Sequence, residues 1–201
     1  MNVISNILYW ISTGLLVPVI VLLIFFFIRA LILIGGFFGD YLQMKKTTAV
    51  VYGKLNSLSP QTLGDFESSL PARHKSVLIA YVKKILETGD DRSRADLLIS
   101  EYEIEADKEV STSKTLTKMG PILGLMGTLI PMGPALVGLA SGDIASMAYN
   151  MQVAFATTVV GLVVSAIGFL TQQAKERWAV KNLTILEFLA DVTAKGKGGC
   201  E

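Results

Sequence analysis

Hydrophobic positions gather into three long runs, separated by stretches of mixed charge. The first run, Ile7–Ile28, is apolar on all sides and close to the ~20 residues that a spanning helix needs. It continues past Arg29 through Leu31–Ile34 and weakens at Gly35-Gly36, where the helix is expected to end. No Lys or Arg precedes Arg29 and no Ala-x-Ala pattern follows, so the run reads as a retained membrane helix rather than a secretory leader. Tyr9 and Trp10 sit where an interfacial aromatic belt belongs. The second and third runs, Met119–Leu139 and Ile144–Leu170, flank the short linker Ala140-Ser141-Gly142-Asp143 and predict a helical hairpin.

The sequence between the first two runs is water-soluble in character. Ser59-Pro60 and Leu70-Pro71 mark turns or helix starts. From His74 to Leu86, Val77, Leu78, Tyr81, Val82, Ile85 and Leu86 recur at helical spacing. Gly89-Asp90-Asp91 breaks that helix. Another starts near Asp91 or Ser93 and carries Leu97, Leu98, Tyr102, Ile104, Ala106 and Val110, with a largely acidic surface that reads as a solvated face. No proline lies between Ala72 and Gly120, so this helix is expected to run straight into the membrane. After Thr171 an amphipathic helix is predicted to Val192, and Gly196-Lys197-Gly198-Gly199 is expected to be disordered. The fold class is all-α: a polytopic membrane protein with three transmembrane helices and long cytoplasmic helical extensions. Its expected parts are 1–39 (first membrane helix and boundary), 40–118 (cytoplasmic helical region), 119–171 (transmembrane hairpin) and 172–201 (cytoplasmic tail).

Charge sets the expected orientation. Only 17% of residues are charged, against ~25% in an ordinary soluble domain, and the formal net charge is +1. No basic field points to nucleic acid. Arg29 excepted, every basic residue lies in 40–118 or in the tail, whereas the N-terminal leader and the Asp143 loop have none. Basic residues stay cytoplasmic, so the N-terminus and the short loop are expected outside and the C-terminus inside, with the lipid bilayer as solvent for three crossings.

The hairpin holds the candidate chemistry. Gly120, Gly124, Gly127, Pro131, Pro134 and Gly138 form one small-residue stripe; Asn150, Ala154, Thr158, Gly161, Ser165 and Gly168 form another. Such stripes let helices approach closely, and packing within the hairpin is their foremost cause. Between Met119 and Gln173 there is no carboxylate, Lys, Arg or His apart from Asp143 in the loop. The segment offers hydroxyls at Thr128, Thr157, Thr158 and Ser165, and amides at Asn150 and Gln152. A hydroxyl donates and accepts hydrogen bonds but holds no proton as a base near neutral pH. If protons cross here, the titrating group comes from a partner. The alternative is that Thr128 and Thr158 bond back to their own helix carbonyls, and the pattern leaves both open. Pro121 falls at a membrane boundary, where a first-turn proline is tolerated. Pro131 and Pro134 lie within the span and are expected to kink or loosen it. The carbonyls they free could line a pore or be satisfied by neighbouring helices. The single cysteine, Cys200, and single histidine, His74, allow no intrachain disulfide and no metal cluster, and no nucleophile–base pair suggests an enzyme or a cofactor.

Gly120-Pro-Ile-Leu-Gly-Leu-Met-Gly-Thr-Leu-Ile130 resembles the second-helix motif of the MotA/TolQ/ExbB proton channel family, and Ala154-Phe-Ala-Thr-Thr-Val-Val-Gly-Leu162 resembles its third-helix motif. Three crossings are closer to its ExbB/TolQ branch than to the four-crossing MotA stator. The resemblance implies an inner-membrane subunit that assembles as a homo-oligomeric ring, a pentamer in the well-understood cases. The ring would enclose a dimer of a single-span protein similar to ExbD, TolR or MotB, whose membrane helix carries an aspartate. It implies an ion-driven motor, foremost proton-driven, that transmits energy into the cell envelope. Thr128 and Thr158 match the second- and third-helix threonines, with Thr157 an extra hydroxyl. ExbB-like members often carry a glutamate shortly before the third-helix threonine; here Asn150-Met-Gln-Val153 has no acid. The competing reading is a non-conducting membrane scaffold for a partner complex.

Overall fold

The computed structural model describes residues 2–55, 77–89 and 91–197. His74, Cys200, Ser59-Pro60, Leu70-Pro71, Asp90 and Gly198-Gly199 lie outside the described residues. The described chain is all helix and turn: α1 (Asn2–Leu55), α2 (Val77–Thr88), α3 (Arg92–Ala140) and α4 (Ile144–Lys197). α1, α3 and α4 are each long and apolar enough to cross a membrane. At a rise of about 1.5 Å per residue, the 49 residues of α3 reach about 74 Å, more than twice the hydrocarbon thickness, so one continuous helix supplies both spanning and water-exposed sequence.

Three boundaries differ from the expectation. α1 does not stop at Gly35-Gly36 but runs to Leu55. A helical glycine costs about 1 kcal/mol relative to alanine, too little to end a helix whose neighbours all favour it. A Cβ at Gly35, Gly36 or Gly39 would meet nothing within 4 Å, so these glycines serve no close packing. α4 likewise continues past Val192 to Lys197, taking Gly196 into the helix. Pro121 is not in a first turn; it lies deep inside α3, as do Pro131 and Pro134, and α3 is helical throughout.

The residues divide into two compact units. The first combines residues 1–36 with 111–172. Here Val19 and Leu23 of α1 bury against Leu123 of α3, with Phe26, Ile130 and Val160 packed alongside. Ala30 meets Leu116 and Val164. Among the described side chains of α1, the buried ones are Val19, Leu23 and Ala30. Ile11, Val17, Val21, Ile24, Phe25 and Ile28 stay exposed, an apolar surface suited to hydrocarbon rather than water.

The second unit combines the described residues of 37–110 with 173–197. Leu78, Tyr81, Val82 and Ile85 line one face of α2, as their spacing predicts, and pack with Ala95, Tyr102, Ile185, Leu186, Leu189 and Ala190. Gly89 ends α2 in the left-handed region, at φ 66°. Asp91 then caps α3: its carboxylate accepts from the Arg94 N–H at 3.1 Å. Arg92 forms ion pairs with Asp96 and with Asp191 of α4. Asn182 is 7% exposed and donates through Nδ2 to the Tyr102 hydroxyl at 2.7 Å, while its buried Oδ1 has no partner among the described residues. Burial pushes the Tyr102 phenol above its ordinary value, with the Asn182 bond acting the other way.

Candidate ion-pathway site in the helical hairpin

The turn between α3 and α4 is built from local chemistry. Gly142 takes φ 76°, open to glycine at no steric cost. The Asp143 N–H reaches back to the Gly138 carbonyl at 2.8 Å and the Gly142 N–H to Leu139 at 3.2 Å, the two bonds of a Schellman ending. Asp143 then caps α4, its carboxylate accepting from the Ser146 N–H at 3.0 Å. The one carboxylate of the hairpin is thereby engaged in the turn.

The two small-residue stripes meet each other. A Cβ on Gly161 would stand 2.6 Å from the Gly120 carbonyl oxygen and 2.8 Å from the Gly124 Cα. One on Gly127 would lie 2.6 Å from the Thr157 Cβ and Oγ1, and one on Gly168 would lie 2.7 Å from the Thr117 N. Gly124 faces Gly161 and Thr158 at ordinary contact distance. Gly124, Gly127 and Gly161 therefore hold the two backbones together, Pro131 is buried, and Pro134 is half-buried.

The hydroxyls divide by partner. Thr128 is half-buried and donates to Leu125 O of its own helix at 2.8 Å. Thr157, 7% exposed, donates to Val153 O and Ala154 O. Thr158 is half-buried, donates to Ala154 O at 3.1 Å and approaches Gly124 O at 3.5 Å across the hairpin. Asn150 donates to Ser146 O at 2.8 Å. Ser165 alone of the candidates makes a strong bond to the other helix, to Thr117 O at 3.0 Å. The structure thus draws Thr157, Thr158, Ser165 and the glycines into one interhelical seam. No hydrogen bond ties Thr128 or Asn150 to the opposite helix among the described residues. Gln152 is exposed, in an open apolar groove with Ala148, Met151, Phe155, Ala156, Val159 and Val160.

The sequence reading missed two parts of this seam. Pro121 has no N–H, so the Thr117 carbonyl four residues earlier loses its helical donor, and Ser165 occupies the vacancy. The proline itself was the available signal. Below it, the Thr171 hydroxyl donates to the Ser113 hydroxyl at 3.2 Å, with both residues buried. Ser113 lies two helical turns before Gly120 and Thr171 one turn after Gly168, so both extend the stripes past the apolar spans. Chemically the seam is neutral: it offers hydroxyls and carbonyls and no titrating group.

The sequence model of the MotA/TolQ/ExbB proton channel family matches residues 74–186, a stretch that contains the whole hairpin and α2. No curated protein matches the chain.

Proposed function

The chain belongs to the MotA/TolQ/ExbB proton channel family, and on that premise we propose that it is the ring-forming subunit of a proton-driven membrane motor. In this reading it follows the three-crossing ExbB/TolQ branch, with the N-terminus outside and the C-terminus in the cytoplasm. Several copies, five by analogy, surround a dimer of a single-span protein that carries a membrane aspartate.

One observation carries the reading. Between Met119 and Gln173 there is no Lys, Arg, His or carboxylate other than Asp143, and that carboxylate is engaged as a helix cap. The wall offers hydroxyls and no acid, so the group that takes up and releases the ion belongs to the partner. An ionised aspartate favours the hydroxyls of Thr128 and Thr158 and water; a protonated one passes apolar surface. One elementary charge crossing ~100 mV supplies ~2.3 kcal/mol, enough to bias such a contact. Ion flow then drives ring and partner relative to one another and delivers work into the envelope.

The test compares liposomes holding the chain alone with liposomes holding the chain and its copurified single-span partner. The chain alone stays proton-tight and the pair conducts. Selective, full-rate conduction by the chain alone overturns the reading. A scaffold reading draws on the bonds that Thr128, Thr157 and Thr158 make to their own helix carbonyls. It requires that the pair, too, stay tight.

A further inference from the structure

In the second unit, three aromatic rings from two helices form one wall. Phe37 of α1 stacks on Trp178 of α4, with centroids 5.4 Å apart and planes 4° from parallel. Tyr41 lies 6.0 Å from Trp178 and 6.3 Å from Phe37. Beside Tyr41 and Trp178 opens a groove of about 720 Å³, also lined by Ala174, Glu176, Arg177, Val180 and Lys181. Arg177 and Lys181 are one helical turn apart and exposed, and neither forms an ion pair among the described residues.

The place of these residues along the chain is informative. Tyr41 follows Gly39, the end of the first apolar stretch, by two residues. Arg177 follows Leu170, the expected end of the third run, by seven residues, about 10 Å of helix. Both fall at the headgroup layer, where amphipathic rings and long basic side chains are at home. Free cations beside aromatic surface at that depth match a phosphate above a glycerol and its chain carbonyls.

We propose that the Tyr41–Trp178 groove is a binding site for an anionic phospholipid, its phosphate held by Arg177 and Lys181 and its backbone lying against the indole. Glu176 also lines the groove, and one net basic charge is enough to select a lipid with net negative charge over a zwitterionic one. This inference needs only the membrane location and stands apart from the proton-driven reading.

The test uses the full chain carrying Trp10→Phe, which leaves Trp178 as its sole tryptophan. It is reconstituted in vesicles of phosphatidylcholine with a minor fraction of lipid brominated near the carbonyl end of its chains. Brominated phosphatidylglycerol quenches Trp178 with an association constant about five-fold above brominated phosphatidylcholine, the size expected for one net basic charge near the surface. Arg177→Gln with Lys181→Gln removes the preference, and Arg177→Lys retains it. Excess inorganic phosphate leaves the quenching unchanged. Equal quenching by the two lipids, no quenching because a second copy covers the groove, a preference that survives the double substitution, or relief by free phosphate each overturns the proposal.

Discussion

The Ser165 hydroxyl donates to the Thr117 carbonyl at 3.0 Å, and Thr117 is the residue whose carbonyl Pro121 leaves without a helical donor. The proline and the serine therefore complement each other from opposite helices. Ser165→Ala strands that carbonyl and lowers hairpin stability by about 0.5–1.5 kcal/mol. In a Pro121→Ala background the restored N–H serves Thr117 internally, and Ser165→Ala costs less. A double-mutant cycle of unfolding midpoints in detergent checks the sign of the coupling; additive effects would show that the two residues are independent.

Close approach at Gly161 makes a second expectation. Gly161→Ala forces a methyl within 2.6–2.8 Å of Gly120 and Gly124 backbone atoms, which cannot step aside without parting the helices. A loss of about 1–3 kcal/mol follows. Gly35→Ala meets open space and gains up to about 1 kcal/mol from helix propensity. Thermal unfolding of the two variants side by side measures the contrast.

Thr158→Val, and with it Thr128→Val, removes a hydroxyl while keeping the shape of the side chain. Each hydroxyl already bonds to its own helix, so neither fold nor expression depends on it. Proton flux through the assembled pair is abolished with assembly intact. Wild-type flux in the double variant would remove both threonines from the ion path.

Orientation is tested at the turn. Gly142 occupies a left-handed conformation that a cysteine would strain, so Ser141, exposed and outside that region, is the better position. With Cys200 replaced by serine, Ser141→Cys reacts with an impermeant maleimide from outside intact cells. Labelling confined to inverted vesicles reverses the proposed topology.

Tyr102 gives a pH dependence. Its phenol is held above the ordinary 10.0 in the folded protein by burial, so folding favours the neutral form. That stabilisation is complete below about pH 10 and is lost as pH rises through the raised folded value. Tyr102→Phe flattens this alkaline loss. At neutral pH it costs about 1–2 kcal/mol, because both polar ends of the buried Asn182 amide are then unpaired. Asn182→Leu in that background restores most of it. Denaturation midpoints at pH 7 and pH 10.5 resolve the two effects.

Much of this was legible in the sequence because it rests on local chemistry. The apolar runs and the α2 stripe come from periodicity alone, and the Asp143 turn comes from a glycine and a capping carboxylate. Helix ends at Gly35-Gly36 and Val192 were misplaced, since glycine lowers helix propensity by less than continuous helix on both sides supplies. The stripes announced that two helices meet, but not their register. Register decides that Thr157 faces Gly127 while Thr158 reaches toward Gly124, and that Ser165 comes level with the carbonyl freed by Pro121. The Phe37–Trp178 stack joins residues 141 positions apart, beyond any local window.

The hairpin is fastened at both ends, by the capped turn at Gly142-Asp143 and by the buried hydroxyl pair of Ser113 and Thr171. With glycine backbones in contact between those fasteners, its two legs have little room to scissor or slide past each other. On the proposed motor reading, mechanical output from such a piece comes from displacing it whole, much as a rigid tooth transmits force at its flank without bending.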